Sequence, residues 1–200
     1  KFKHTMLETA ERMYGDKTVM NDNITHIINH RHFDRIETAI SSSGGNVVLE
    51  GLRDRKSLYI GPTIIENPDL DSQLMTEEIF GPVLPLVPVE DVSKAIEFIN
   101  ARERPLALYV MTSNRSVFDQ FQQWTHSGAL MQNDVVFHCS SPDLPFGGIG
   151  NSGMGQYHGK AGFKALSHMK PVVSHSTWVE ISQKFPPYSD ANLRFISPFC

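Results

Sequence analysis

The hexapeptide Glu77-Glu78-Ile79-Phe80-Gly81-Pro82 sets two carboxylates, an aromatic ring and a Gly-Pro turn directly before an apolar run. A carboxylate there can accept hydrogen bonds from vicinal hydroxyls while the ring covers a planar group. The plainer reading is a helical turn capped by acids and closed by proline. Gly148-Ile149-Gly150-Asn151-Ser152-Gly153 spells G-x-G-x-x-G. A dinucleotide fingerprint also needs a strand before it, a helix opening on it, and an acid roughly 20 positions on. Here Asp143-Leu144-Pro145-Phe146 reads as loop and the next acid is Glu180, so a tight loop bringing backbone against backbone is favoured. His26, His30 and His32 form a cluster, the first two at the spacing of one helical turn that suits zinc. No Cys or carboxylate completes a four-ligand set, although Asp34 is close, and solvated histidines on an exposed helix are the favoured reading. Cys139, with His138 or His168 as base, has the residue types of nucleophilic catalysis. Spacing alone leaves it an unreactive loop cysteine.

Periodicity supplies the elements that must position these residues. Phe2, Met6, Leu7, Ala10, Met13 and Tyr14 predict an amphipathic helix ended by Gly15. A second helix is predicted from about Asn29 to Ser41, stopped by Gly44-Gly45, followed by a short strand from Asn46 to Leu49. Three apolar runs, Val83–Val89, Leu106–Met111 and Gly128–Met131, alternate with two helical patterns, one capped by Asp91 and one by Ser113 or Asn114. Strand-helix-strand-helix-strand with short connections predicts parallel crossover units. Runs apolar throughout suit a sheet buried on both faces. The fold class is α/β. Asn133–Gly155 is a long Gly/Ser/Pro loop past a parallel strand, where open α/β sheets place ligands. A short helix over about Tyr157–Leu166 follows, then a β-branched stretch Pro171–Thr177 and a tail with no regular period.

Composition narrows the function classes. Among 200 residues, 18 Lys+Arg against 22 Asp+Glu leave a net charge of −4, which argues against nucleic acid or an anionic membrane as the main partner. No apolar run reaches the ~18 residues a bilayer span requires, and no secretory leader opens the sequence. Two cysteines, Cys139 and Cys200, cannot build a disulfide scaffold, which fits a reducing, cytoplasmic setting. The chain opens on Lys1 inside a helical pattern, which reads as a start within a larger protein.

Several segments taken together resemble the aldehyde dehydrogenase superfamily, closest to its class 3 or fatty-aldehyde branch. They are the hexapeptide, Ile96-Glu97-Phe98-Ile99-Asn100 with Pro105-Leu106-Ala107-Leu108-Tyr109, Asn133-Asp134-Val135, and the run Leu144 to Gly155 with Tyr157-His158-Gly159-Lys160. They stand in family order from about residue 2 to 177.

The resemblance implies an NAD- or NADP-dependent oxidation of aldehydes to carboxylic acids. In that family a cysteine thiolate forms a thiohemiacetal whose oxyanion is held by backbone and Asn donors. Hydride leaves for the nicotinamide, and a glutamate-activated water hydrolyses the thioester. By resemblance, Glu78 and Phe80 are cofactor-binding, Glu78 towards the nicotinamide ribose and Phe80 beside the nicotinamide. Phe146 lines the aldehyde tunnel, with Asn133 and the 137–141 loop near it. Residues 1–168 correspond to the C-terminal part of the catalytic domain, a parallel-rich sheet with helices on both faces. Residues 169–178 correspond to an oligomerisation strand and 179–200 to a tail. The family's Gly-Gln-x-Cys and Glu-Leu-Gly-Gly-Lys motifs, its oxyanion Asn and its N-terminal Rossmann domain have no counterpart here, so Cys139 is not the family nucleophile. The expectation is a chain without catalytic residues of its own, inactive and aggregation-prone in isolation. Its partners would be a medium- or long-chain aliphatic or aromatic aldehyde and, at full length, a second copy in a homodimer. The competing expectation is a non-catalytic truncated paralogue that pairs with full-length subunits.

Overall fold

The structure is a computed structural model that describes residues 2–199; Lys1 and Cys200, and the readings attached to them, lie outside the described residues. The chain forms two compact units, Lys1–Phe98 and Ile99–Cys200.

The first unit opens with α1 (Phe2–Tyr14), over the predicted span, and α2 (His30–Ser41). Asn29 starts α2 with an extended backbone and a side chain accepting from the His32 N–H at 2.9 Å. Phe33, Ile36, Ala39 and Ile40 fall on one face and are buried. Ser42 closes the helix and Gly44 follows at φ +69°. Strands β1 (Asn46–Leu49), β4 (Thr63–Glu66) and β5 (Val83–Leu86) make a three-stranded sheet in the order β1-β4-β5. β1 runs antiparallel to β4, with a bulge between Val47 and Leu49; β4 and β5 are parallel, from Thr63 opposite Val83 to Glu66 opposite Leu86. A hairpin of β2 (Arg53–Asp54) and β3 (Tyr59–Ile60) and the short α3 (Gln73–Thr76) complete the unit before α4 (Val92–Asn100). The core unites Ile27, Phe33, Ile36, Ile40, Ile65 and Leu74 with their neighbours, so α2, the sheet and α3 share one apolar layer. α1 contributes no fully buried residue, and Phe2 and Met13 stay largely in solvent.

The second unit contains β6 (Ala107–Val110), α5 (Arg115–Trp124) and β7 (Ala129–Gln132), one of the two predicted parallel crossovers. The other, from β5 through α4 to β6, does not form, because β5 pairs with β4 and β6 with β7 in separate sheets. Asn114 is the cap of α5, its side chain accepting from Ser116 N–H at 3.0 Å. Asp91 likewise accepts from Lys94 N–H at 2.8 Å at the start of α4. α6 (Gly159–Ala165) begins two residues later than predicted because His158 sits at φ +80°.

Three further expectations are corrected. The apolar runs are not buried on both faces: β6 and β7 are mostly half-buried and Leu84 in β5 is 47% exposed. β5, β6 and β7 are all edge strands of their two- or three-stranded sheets, each with one side unpaired, whereas continuous burial belongs to interior strands of larger sheets. The chain-end tail is not without regular structure, for Ser189 accepts from Asn192 N–H at 3.2 Å and caps α7 (Asp190–Ile196). His26 precedes α2 instead of lying on it, so it shares no helical face with His30. Residues 169–178 carry no helix or strand, with Val172 and Val173 almost fully exposed. A strand acting between subunits finds its hydrogen-bond partners on another chain.

Candidate cofactor and substrate site

The hexapeptide hangs between α3 and β5. Glu77 closes α3, its N–H donating to the Gln73 carbonyl at 3.1 Å and its carboxylate accepting from Gln73 Nε2 at 2.9 Å. Glu77 is the C-cap of this single helical turn and already extended, as the plainer reading of an acid-capped turn expects, and Glu78 lies beyond it. Arg35 reaches from α2 to donate to the carbonyls of Glu78 at 3.2 Å and Ile79 at 2.6 Å, while its guanidinium stands 3.9 Å from the Glu77 carboxylate. Phe80 follows at φ +48° and is 74% exposed. A Cβ built on Gly81 would stand 2.7 Å from Ile36 Cδ1, so a larger residue there would require the Ile36 side-chain tip to shift. The strand then engages through Thr63 N–H to Pro82 O at 2.9 Å.

Glu78 is exposed, and its carboxylate makes no hydrogen bond or ion pair among the described residues. Phe80 borders a cleft of about 790 Å³ lined by Ile24, Ile27, His32 and Pro82 among others. An unengaged acceptor two residues from an exposed aromatic residue suits a sugar diol joined to a planar ring.

Asn133 and Phe146 lie in the second unit, each with its own partners. Asn133, at φ +59°, accepts from Thr112 N–H at 2.7 Å and donates to Thr112 O at 2.9 Å, tying the end of β7 to the second residue beyond β6. Phe146 exchanges two backbone hydrogen bonds of 2.9 Å with Tyr157. Its ring stacks on His138 at 5.8 Å and on His158 at 5.6 Å and meets Tyr157 edge-on. His138 has both ring nitrogens shielded without a partner, as does Nδ1 of His158.

Other sequence candidates separate. Cys139 donates its thiol to Val136 O, His138 has no hydrogen bond to give it, and His168 is exposed, so no Cys–His pair forms. His26 Nδ1 lies 2.6 Å from Ser57 O, and among the described residues no group of three or more His, Cys, Asp or Glu is placed to hold a metal. In the glycine run, a Cβ on Gly148 would strike the Ser152 carbonyl and stand 2.6 Å from Gly153 N. The loop therefore folds backbone on backbone around a single 3-10 turn, Gly150–Ser152, and no helix opens on it, α6 starting only at Gly159. Sequence reasoning missed Arg35: a lone arginine on a helix carries no signal, because its carbonyl partners lie 43 and 44 residues away.

An α/β scaffold with an unengaged acid, an exposed ring and a glycine-knotted loop carries the features on which the resemblance rested. Residues 1–172 match the aldehyde dehydrogenase family. The chain belongs to that family. Within it the similarity runs to the class 3 branch: 44% identity over 182 residues to the rat (Rattus norvegicus) aldehyde dehydrogenase, dimeric NADP-preferring, covering 90% of this chain and 40% of that protein. Aldehyde dehydrogenase family 3 member A2 of Macaca fascicularis is 42% identical over 188 residues, covering 93% of this chain and 38% of that one. A substrate-bound structure of Staphylococcus aureus AldH superimposes with a TM-score of 0.82 at 34% identity, over 98% of this chain and 43% of that chain. The chain thus spans about two fifths of the length of these relatives. Among the described residues no helix is long and apolar enough to cross a membrane.

Proposed function

We propose that this chain supplies the nicotinamide-end cofactor grip and part of the aldehyde tunnel of an NAD(P)-dependent aldehyde dehydrogenase. Glu78 accepts the ribose hydroxyls, Phe80 packs beside the nicotinamide, and Phe146 forms tunnel wall, its ring held between His138 and His158. Asn133 holds the loop that leads there. The dinucleotide, when bound, supplies the hydride acceptor. The observation that carries the reading is the unengaged Glu78 carboxylate two residues before Phe80, which is itself 74% exposed. We assign the thiolate nucleophile and the water-activating glutamate to family segments outside these 200 residues. A cytoplasmic setting, a homodimer and a medium- or long-chain aliphatic or aromatic aldehyde belong to the same reading.

Loss of a covalent nucleophile and its base forfeits several powers of ten in rate. The isolated chain is therefore expected to turn over no NAD or NADP with hexanal or benzaldehyde, and measurable turnover would show that the chain carries its own nucleophile. The cofactor role is tested in a chimera with residues 1–172 replacing the matching segment of the rat class 3 enzyme. There Glu78→Gln is expected to raise the dinucleotide dissociation constant by roughly 10- to 100-fold, the loss of charge-assisted bonds to a diol. Unchanged dinucleotide affinity would remove Glu78 from the site.

A further inference from the structure

We propose that Arg35 is a positioning residue for the dinucleotide end of the site, and that the two adjacent carboxylates divide the work: Glu77 steadies Arg35, and Glu78 faces the ligand. This rests on the cofactor reading of Glu78 and Phe80 given above.

The argument starts from the peptide planes. The Ile79 carbonyl belongs to the peptide joining residues 79 and 80, whose tilt is set by ψ of Ile79 and φ of Phe80. A guanidinium N–H at 2.6 Å from that oxygen therefore bears directly on the φ of +48° at Phe80. The second bond, to the Glu78 carbonyl, fixes the preceding plane and with it the direction in which Cα of Glu78 projects its side chain. Left-handed backbone is unfavourable for a bulky residue and persists only where the surroundings over-determine it. Here two consecutive residues of α2 supply that constraint: Arg35 holds the carbonyls before Phe80, and Ile36 packs under Gly81 after it. The guanidinium side chain is 22% exposed, so its bonds to the two carbonyls are partly shielded from water. Its planar fork reaches two carbonyls at once, which a lysine ammonium on a flexible stem does poorly. Glu77 stands 3.9 Å from the guanidinium and is itself held by Gln73 Nε2, so the first carboxylate of the pair is occupied while the second is not.

The test uses the rat-scaffold chimera and four variants: Arg35→Met, Arg35→Lys, Glu78→Gln, and Arg35→Met with Glu78→Gln. Arg35→Met is expected to weaken dinucleotide binding about tenfold by NADPH fluorescence, with the aldehyde KM moved by less than about twofold. Arg35→Lys recovers only part of the loss. The double variant binds less weakly than the product of the two single losses, because Arg35 acts partly through Glu78 and partly through Phe80, and a fully multiplicative loss overturns the proposal. Amide exchange read by mass spectrometry is expected to speed up across residues 77–83 in Arg35→Met and to stay unchanged in α1. Arg35→Met binding within about twofold of the parent while Glu78→Gln weakens it overturns the proposal and leaves the cofactor reading standing. No effect from Glu78→Gln overturns the cofactor reading itself. Equal losses in dinucleotide affinity and aldehyde KM, with faster exchange throughout the unit, make Arg35 merely structural and overturn the proposal too.

Discussion

Ile36→Ala is expected to destabilise the first unit by about 4 kcal/mol, read as a lower urea midpoint at unchanged slope. Ile36 is fully buried and packs with Phe33, Ile40, Ile65 and Leu74 in one core cluster. Truncation loses the transfer free energy of three carbons and leaves a cavity that rigid neighbours cannot close. The position is doubly exacting because Ile36 Cδ1 also supports the chain at Gly81. The void would therefore open beneath the turn carrying Phe80, and amide exchange there should quicken before the unit unfolds. Leu193→Ala is the comparison, since Leu193 in α7 is 55% exposed and should cost less than about 0.5 kcal/mol. A cost below about 1 kcal/mol for Ile36→Ala would mean that the core sits elsewhere.

Gly148→Ala has the second largest expected effect, about 3 kcal/mol, and it discriminates between two readings of the glycine run. A Cβ at Gly148 meets only backbone, the Ser152 carbonyl and Gly153 N, and backbone cannot rotate away as a side-chain tip can. The loop must open, and with it the Phe146–Tyr157 bridge that presents the Phe146 ring. Gly150→Ala separates space from conformation. Gly150 has nothing within 4 Å of its built Cβ but sits at φ +66°, so only the left-handed penalty of about 1 kcal/mol applies. Proteolysis rates across residues 146–157 with thermal melts of both variants provide the measurement. Equal costs at the two positions would show that backbone conformation, not close approach, places glycine in this run.

Local pattern read well in this chain wherever one element's own residues decide it. The span of α1, the faces of α2, α4 and α5, the Asn29, Asp91 and Asn114 caps, and the β6–α5–β7 crossover all follow from spacing of three and four residues and from side chains bonding two or three positions on. The hexapeptide was legible for the same reason: its acids, ring and turn are contiguous. What failed to read depended on distant partners. His26 and His30 keep a helical spacing, but the helix starts at His30 because Asn29 caps it there. Cys139 and His138 are neighbours in sequence yet share no hydrogen bond, because the ring turns to stack on Phe146. The apolar runs read as doubly buried because a run records hydrophobicity and not whether its strand lies inside a sheet or at its edge.

By itself the sequence determined the class: motifs in family order, an α/β alternation and an acid–aromatic hexapeptide are properties of contiguous residues, and contiguous residues need no fold to be recognised. Tertiary structure alone decided how that hexapeptide is held and which of its acids is available. Arg35, brought 43 residues across the chain to two carbonyls, stands near Glu77 and leaves Glu78 unengaged. Neither charge nor spacing distinguishes the two glutamates; only the direction of their peptide planes does, and that direction is set by a side chain from another helix.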